Sequence, residues 1–249
     1  MGSEMCIRDR SEAARKELPI EAGVITALSW VAMDVGMIDA AIITSKDDKF
    51  RPQPFLAKSK EELTKGIGYK PSQSPTLSLV GEAINKGFVD IGVVGTPCQV
   101  QALRKLQNHP RFDFEAYDLV TLAIGTFCFG TFHNQGLMEL FKENGVISEN
   151  IKKIEKVNDR FKMIIHHDSE KKNISLKELY DKAIRTACFS CSDYTASFAD
   201  LSIGEVGSNS KEGWRTVIIR TEKGKKLMEA AVDKGIIAVS YTHLTLPTN

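Results

Sequence analysis

Cys98, Cys128, Cys188 and Cys191 are the residues with the most chemistry to offer in this chain. Cys188-Phe189-Ser190-Cys191 is a C-x-x-C segment. Its two intervening residues close a tight loop that turns both thiolates toward one centre and lets backbone N–H groups reach the sulfurs. Four thiolates complete either a cubane iron–sulfur cluster or a structural zinc site. A redox dithiol of the thioredoxin kind opens a helix early in a βαβ pattern, whereas this pair lies late and precedes a strand. Zinc ribbons and fingers pair one C-x-x-C with another, a spacing not seen here, and Pro97 beside Cys98 is a feature of iron–sulfur ligand segments. Taken singly, Cys98 and Cys128 also read as small core residues following buried strands. Disulfides require an oxidising compartment. The apolar stretch Val24 to Ala32 lies inside an amphipathic pattern, without the basic flank and cleavage site of a secretory signal, so a cytoplasmic location is expected.

Positioning these thiols falls to strand ends. Asp90 to Gly95 (DIGVVG) predicts a strand, Gly95-Thr96-Pro97-Cys98 a turn, and Gln99 to Gln107 an amphipathic helix. Leu119 to Phe127 repeats the logic, running into Cys128 and then a helix from about Asn134 to Glu143. Two successive strand-turn-helix units imply a parallel sheet, whose ligands gather at the carboxyl ends of its strands, where Cys98 and Cys128 both fall. Upstream, Gly23 to Gly36 reads as a helix and Ile38 to Thr44 as a buried strand. Gln53 to Ala57 reads as another strand, Ser59 with Glu62 as a capping box, and Thr76 to Lys86 as a helix stopping at Gly87. Downstream, KKIEKV and RFKMIIHH read as an antiparallel hairpin turning at Asn158-Asp159, with His166 and His167 exposed. Strands at Ala199 to Ile203 and Thr216 to Arg220, joined by a glycine turn through Gly204 and Gly207, precede a last helix near Lys223 to Lys234.

The chain has 249 residues, of which 42% are hydrophobic and 26% charged, with a net charge of +1. That is the composition of a globular protein and excludes disordered, collagen-like and coiled-coil classes. Near-neutrality argues against binding nucleic acid or an anionic membrane by bulk charge, and no apolar run approaches the roughly 20 residues that span a bilayer. Residues 1–10 and 240–249 show neither helical nor strand periodicity and resemble translated sequencing-adaptor DNA. They read as non-native additions to a single, truncated domain over 11–239, leaving Cys6 and His243 without a role.

Together the segments Gly92 to Gln107 (GVVGTPCQVQALRKLQ), Gly125 to Phe132 (GTFCFGTF), Leu176 to Glu178 (LKE) and Cys188 to Thr221 resemble the beta subunits of coenzyme F(420)-dependent hydrogenase and formate dehydrogenase. GTPCQ followed far downstream by C-x-x-C-x-D and AD-x-S-x-G is a specific combination. Weaker similarity covers Gly23 to Thr44 and Arg51 to Leu63. One departure stands out: Ala22-Gly23 occupies the place of a double glycine in the family.

The resemblance implies an α/β fold: a mostly parallel sheet flanked by helices, with an inserted antiparallel hairpin and an iron–sulfur cluster loop. It implies an electron-transfer subunit that passes electrons between a [4Fe-4S] cluster, FAD and coenzyme F(420), an 8-hydroxy-5-deazaflavin, in a hydrogenase or formate dehydrogenase type complex. By position, Cys98, Cys128, Cys188 and Cys191 would be the cluster ligands. Gly23, Thr26, Gly95, Thr96 and Gln99 are the expected FAD contacts, because backbone N–H groups at such turns can approach phosphate or ring oxygens. Asp193 and Asp200 are expected to bond the backbone around the cluster loop or to cap turns. Lys177 beside Glu178 reads as a solvated helix pair. The implied partners are catalytic and electron-transfer subunits, or ferredoxin, with no nucleic acid and no membrane insertion. The alternatives are a ferredoxin-linked reductase of the same fold acting on another organic substrate, and a zinc-stabilised interaction domain.

Overall fold

The computed structural model describes residues 4–10, 19, 22–109, 115–157, 162–206 and 214–241. Continuous apolar runs make the middle of its main sheet. β2 (Ala40–Lys46), β4 (Ile91–Gly95), β5 (Val120–Thr126) and β9 (Leu201–Gly204) are largely buried, and β2–β4, β4–β5 and β5–β9 pair in parallel. Antiparallel strands extend the sheet on both sides. β3 (Pro52–Ala57) pairs with β2 and β10 (Arg215–Ile219) with β9; β1 (Glu4–Arg10) then joins β10 to β11 (Ile237–Tyr241). The order is β11-β1-β10-β9-β5-β4-β2-β3.

Two terminal segments therefore differ from their expectation. Residues 4–10 and 237–241, read as unpatterned at least in part, are paired strands. Main-chain pairing needs no hydrophobic alternation, and β1 covers the edge that β10 would otherwise leave open. Residues 1–3 and 242–249 lie outside the described residues.

Helices cover both faces of the sheet. α1 (Val24–Asp34) packs Ala27, Leu28 and Val31 with Ala41, Ile124 and Ile203, joined by Leu227 and Met228. Ser59 Oγ accepts from Glu62 N at 3.3 Å to cap the short α2 (Lys60–Leu63). On the opposite face lie α3 (Val80–Asn85), α4 (Pro97–Gln107) and α5 (Glu115–Asp118), where Val80, Val100 and Leu103 meet Ala40, Ile42 and Val93. The alternation of side chains along β2 separates these two cores.

α6 (Asn134–Glu143) leads into a second sheet of β6 (Ile151–Val157), β7 (Lys162–His167) and β8 (Glu170–Ser175), ordered β6-β7-β8 and antiparallel throughout. The expected hairpin thus gains a third strand. β8 reads EKKNIS and buries only Ile174, so its sequence carries no alternation to see. The expected turn at 158–159 lies outside the described residues. Ile165 and Ile174 close a third core with Phe132, Leu137 and Phe141, sealed by Leu179 of α7 (Leu176–Lys182). α8 (Glu222–Asp233) completes the elements, and no helix among the described residues is long and apolar enough to cross a membrane.

Candidate functional site

β4 delivers Cys98. Thr96 is extended and serves as the N-cap of α4, and Pro97 occupies its first helical position, where a fixed φ suits the helix and the missing N–H costs nothing. The helix therefore starts two residues earlier than the expected Gln99, with Cys98 in its first turn. Gln99 Oε1 accepts from Thr96 N at 2.9 Å and from Thr96 Oγ1 at 3.1 Å. Gln99 Nε2 donates to Ser74 O at 2.5 Å and Thr76 Oγ1 at 3.1 Å, so this buried amide ties the segment 72–78 to the helix start. Cys98 is exposed, with Thr96 Oγ1 at 3.3 Å and Gln73 Nε2 at 3.8 Å from its sulfur.

β5 delivers Cys128. Phe127 N donates to Ile203 O at 2.8 Å and Cys128 N to Tyr194 O at 2.9 Å. Gly204 makes room for Phe127: a Cβ there would lie 1.9 Å from the ring. Gly130 has φ +155, a region favouring glycine, and its N–H bonds the Cys128 thiol. Burial pushes that thiol up to about 11, and nearby Cys98, Cys188 and Cys191 add to the effect through the charge each carries as a thiolate. Cys98, Cys188 and Cys191 therefore all lie near enough to Cys128 to act on its thiol by charge.

Cys188 sits in a tight 3-10 turn, Thr186–Ser190, with its sulfur accepting from Thr131 N at 3.5 Å. Cys191 is exposed just beyond it. Asp193 then accepts from Ser197 N at 3.0 and 3.1 Å and from Ser197 Oγ at 3.0 Å, holding the loop that follows. Ala196, at φ +54, presses this loop against β5, where a Cβ on Gly125 would stand 2.4 Å from Ala196 Cβ. Asp193 thus bonds the backbone of the loop after the cysteines, as expected, whereas Asp200 bonds the middle of β5 instead, accepting from Ala123 N at 2.8 Å.

Among the described residues, no three His, Cys, Asp or Glu side chains are grouped as a single metal ion requires. A cubane cluster seats its thiolates at its corners, further apart than the ligands of one tetrahedral ion. Thiols drawn from three chain segments, with backbone N–H groups aimed at Cys128 and Cys188, are the donor type that ligates an iron–sulfur cluster.

A cleft of ≈ 560 Å³ opens beside Cys98, walled by residues 72–78, Gln99, His133 and Arg185. Ser72 Oγ and Ser74 Oγ are buried on this wall with no hydrogen-bond partner among the described residues. Buried hydroxyls left unpaired are costly, and a polar ligand in the cleft would satisfy them. The expected flavin contacts divide between the two faces of the sheet: Gly95, Thr96 and Gln99 lie at the cleft's end of β4, Gly23 and Thr26 at the start of α1 on the other face. α1 turns into β2 within a few residues, so its N-terminus also lies toward the carboxyl ends of the parallel strands.

Three further outcomes concern charged residues. His167 is buried and its Nε2 accepts from Ile147 N at 3.0 Å; His166 is partly buried, 3.0 Å from Glu155. Their expected exposure is corrected: β8 and the α6 side cover the strand that carries them. Lys177 pairs with Asp181, and Glu178 completes a capping box with Ser175, the N-cap of α7, a solvated arrangement as expected. Lys70, which the sequence did not single out, is mostly buried and donates to Gly66 O at 2.5 Å and Ile67 O at 3.0 Å. Burial, with Lys46 nearby, pulls its pKa down to about 7. A lone lysine in a loop carries no sequence signal for this.

The chain is similar to known proteins over nearly its whole length. The family profile described as "Coenzyme F420 hydrogenase/dehydrogenase, beta subunit N-term" matches residues 20–81, and the corresponding C terminus profile matches residues 88–243. The coenzyme F420 hydrogenase subunit beta of Methanothermobacter thermautotrophicus is 31% identical over 226 residues, covering 89% of this chain and 78% of that one. A coenzyme F420-dependent sulfite reductase of Methanocaldococcus jannaschii is 33% identical over 222 residues, 84% of this chain but 34% of its own length. In the F420-reducing [NiFe] hydrogenase complex from Methanosarcina barkeri, solved as a xenon derivative, one chain superposes with a TM-score of 0.86 at 27% identity, covering 99% of this chain and 85% of that one. The matches run through the cysteine-bearing strand ends and the loop between them, and the chain belongs to the coenzyme F(420) hydrogenase/dehydrogenase beta subunit family.

Proposed function

We propose that this chain is the electron-transfer subunit of a hydrogenase or formate dehydrogenase type complex, working between a [4Fe-4S] cluster, FAD and coenzyme F(420). The observation that carries the reading is the convergence of Cys98, Cys128, Cys188 and Cys191 from separate segments onto the carboxyl end of the parallel strands. These four side chains would hold the cluster. FAD, when bound, supplies the conversion between single electrons and the electron pair that a deazaflavin exchanges.

The chain's own contribution is to hold and to shield. The thiol of Cys128 must lose its proton to ligate, and burial makes that loss favourable only with positive charge beside it. Gly130 N–H and Thr131 N–H then stabilise the thiolates at Cys128 and Cys188. Ser72 and Ser74 offer unpaired hydroxyls to a flavin in the cleft next to Cys98, with Gly95, Thr96 and Gln99 shaping its floor. Gly23 and Thr26, on the first turn of α1, supply main-chain and hydroxyl contacts from the other face. Residues 11–239 act as one cofactor-binding unit, in the cytoplasm, with catalytic and electron-transfer subunits as partners.

The test is F(420) turnover by the anaerobically reconstituted chain with an artificial one-electron donor. Reduction of F(420) that requires bound flavin supports the reading. A flavin- and cluster-loaded chain that turns over no F(420) moves the substrate assignment to the ferredoxin-linked alternative.

A further inference from the structure

The hydrogen bonds that reach the four sulfurs are uneven. Cys128 has Gly130 N–H, and Cys188 has Thr131 N at 3.5 Å and Thr131 Oγ1 at 3.8 Å. Among the described residues, Cys191 faces the carbonyl of Asp193 at 3.7 Å, which accepts and cannot donate. Cys98 is, among the described residues, the cysteine approached by two side chains from different segments, Thr96 Oγ1 at 3.3 Å and Gln73 Nε2 at 3.8 Å, and the cysteine that lines the cleft. As a thiolate, Cys98 can only accept. The Thr96 hydroxyl can then turn to it from Gln99 Oε1, which keeps its bond from Thr96 N.

Building on the cluster reading above, we propose that Gln73 and Thr96 are tuning residues that raise the reduction potential of the cluster by donating hydrogen bonds to the Cys98 sulfur on the cleft side. The step concerned is the gain of one electron by the cluster from a one-electron donor, with no bond made or broken and no proton exchanged. Added negative charge spreads onto the sulfurs, so a donor aimed at one of them favours the reduced state. Neither residue touches iron. Both are dispensable for ligation, and their effect on the cluster is read in its potential.

The experiment is a dye-mediated redox titration of the full chain, read by the electron paramagnetic resonance of the reduced cluster, with iron and sulfide measured on the same samples. Gln73→Leu and Thr96→Val are expected to keep the wild-type iron and sulfide content and to titrate at a lower potential, while Thr96→Ser, which keeps the hydroxyl, titrates as wild type. Should Thr96→Val fail to load, Gln73→Leu decides the matter, because Gln73 lies outside the helix start. A fully loaded Gln73→Leu cluster at the wild-type potential overturns the assignment. A wild-type chain that holds no cluster overturns it too, through the reading on which it rests.

Discussion

Arg104 Nη2 lies 3.1 Å from Asp200 Oδ2, joining the helix that carries Cys98 to the segment that follows Cys191. The same carboxylate accepts from Ala123 N at 2.8 Å on the strand leading to Cys128, and from Thr221 Oγ1 at 2.8 Å. One buried side chain therefore ties the helix that carries Cys98 to the strand that leads to Cys128. Removing one member of a buried ion pair typically costs about 3–5 kcal/mol. Asp200→Ala, which also orphans Ala123 N, is expected in that range by urea unfolding, and Arg104→Ala below it, since Arg104 is a quarter exposed. Equal and sub-kcal losses would mean that Asp200 is not the tie described.

Gly204 and Gly23 make a contrasting pair. A Cβ at Gly204 would lie 1.9 Å from the Phe127 ring, next to Cys128, whereas among the described residues nothing beyond its chain neighbours lies within 4 Å of a Cβ at Gly23. Gly204→Ala is expected to cost about 1–3 kcal/mol by overpacking and to reduce iron content. Gly23→Ala changes an N-cap and costs about 1 kcal/mol or less. If Gly23 touches flavin, its variant loses FAD affinity while its unfolding midpoint scarcely moves; unchanged FAD affinity would remove it from the contacts.

Cys128 sets a pH dependence for the metal-free chain. Its folded pKa, about 11, lies above the ordinary 9.0, so the folded state holds the proton longer than the unfolded one. Stability from this thiol is complete below about pH 9 and lost as pH rises toward 11. Cys128→Ser should flatten that part of the profile. Comparing urea midpoints of the two chains from pH 8 to 11 measures it, and parallel profiles would contradict the burial described.

Lys70 acts with the opposite sign. Its folded pKa, about 7, lies below the ordinary 10.5, so between these values the unfolded state binds the extra proton and folding strengthens as pH rises. Lys70→Met removes the cost of burying an ammonium. Its melting temperature is expected to exceed that of the wild type at pH 6, with the gap narrowing toward pH 10. A variant less stable than wild type at pH 6 would show that the bonds to Gly66 O and Ile67 O outweigh that cost.

Much of this site is legible in the sequence alone. Cys98 and Cys128 follow apolar runs too short for helices, which places them at strand ends, and the C-x-x-C spacing announces paired thiols. The helix at 134–143 matches because its apolar spacing and the glycine after it agree. β1, β8 and β11 were not legible because main-chain pairing holds them and their sequences show little alternation. Ser72 and Ser74 escaped notice because an unpaired hydroxyl is a property of its surroundings, and so did the pKa of Lys70. Asp200 was recognised as a possible backbone partner, but its link to Arg104, 96 positions away, depends on the folded topology.

The central claim is that four thiols of this chain hold one iron–sulfur cluster. The most direct measurement is iron, acid-labile sulfide and the visible spectrum of the anaerobically reconstituted full chain and of its Cys188→Ser variant. The account predicts about four iron and four sulfide per wild-type chain, and loss of the cluster spectrum in the variant. A colourless wild-type chain carrying one zinc, or a Cys188→Ser variant with its full iron, sulfide and spectrum, would contradict it.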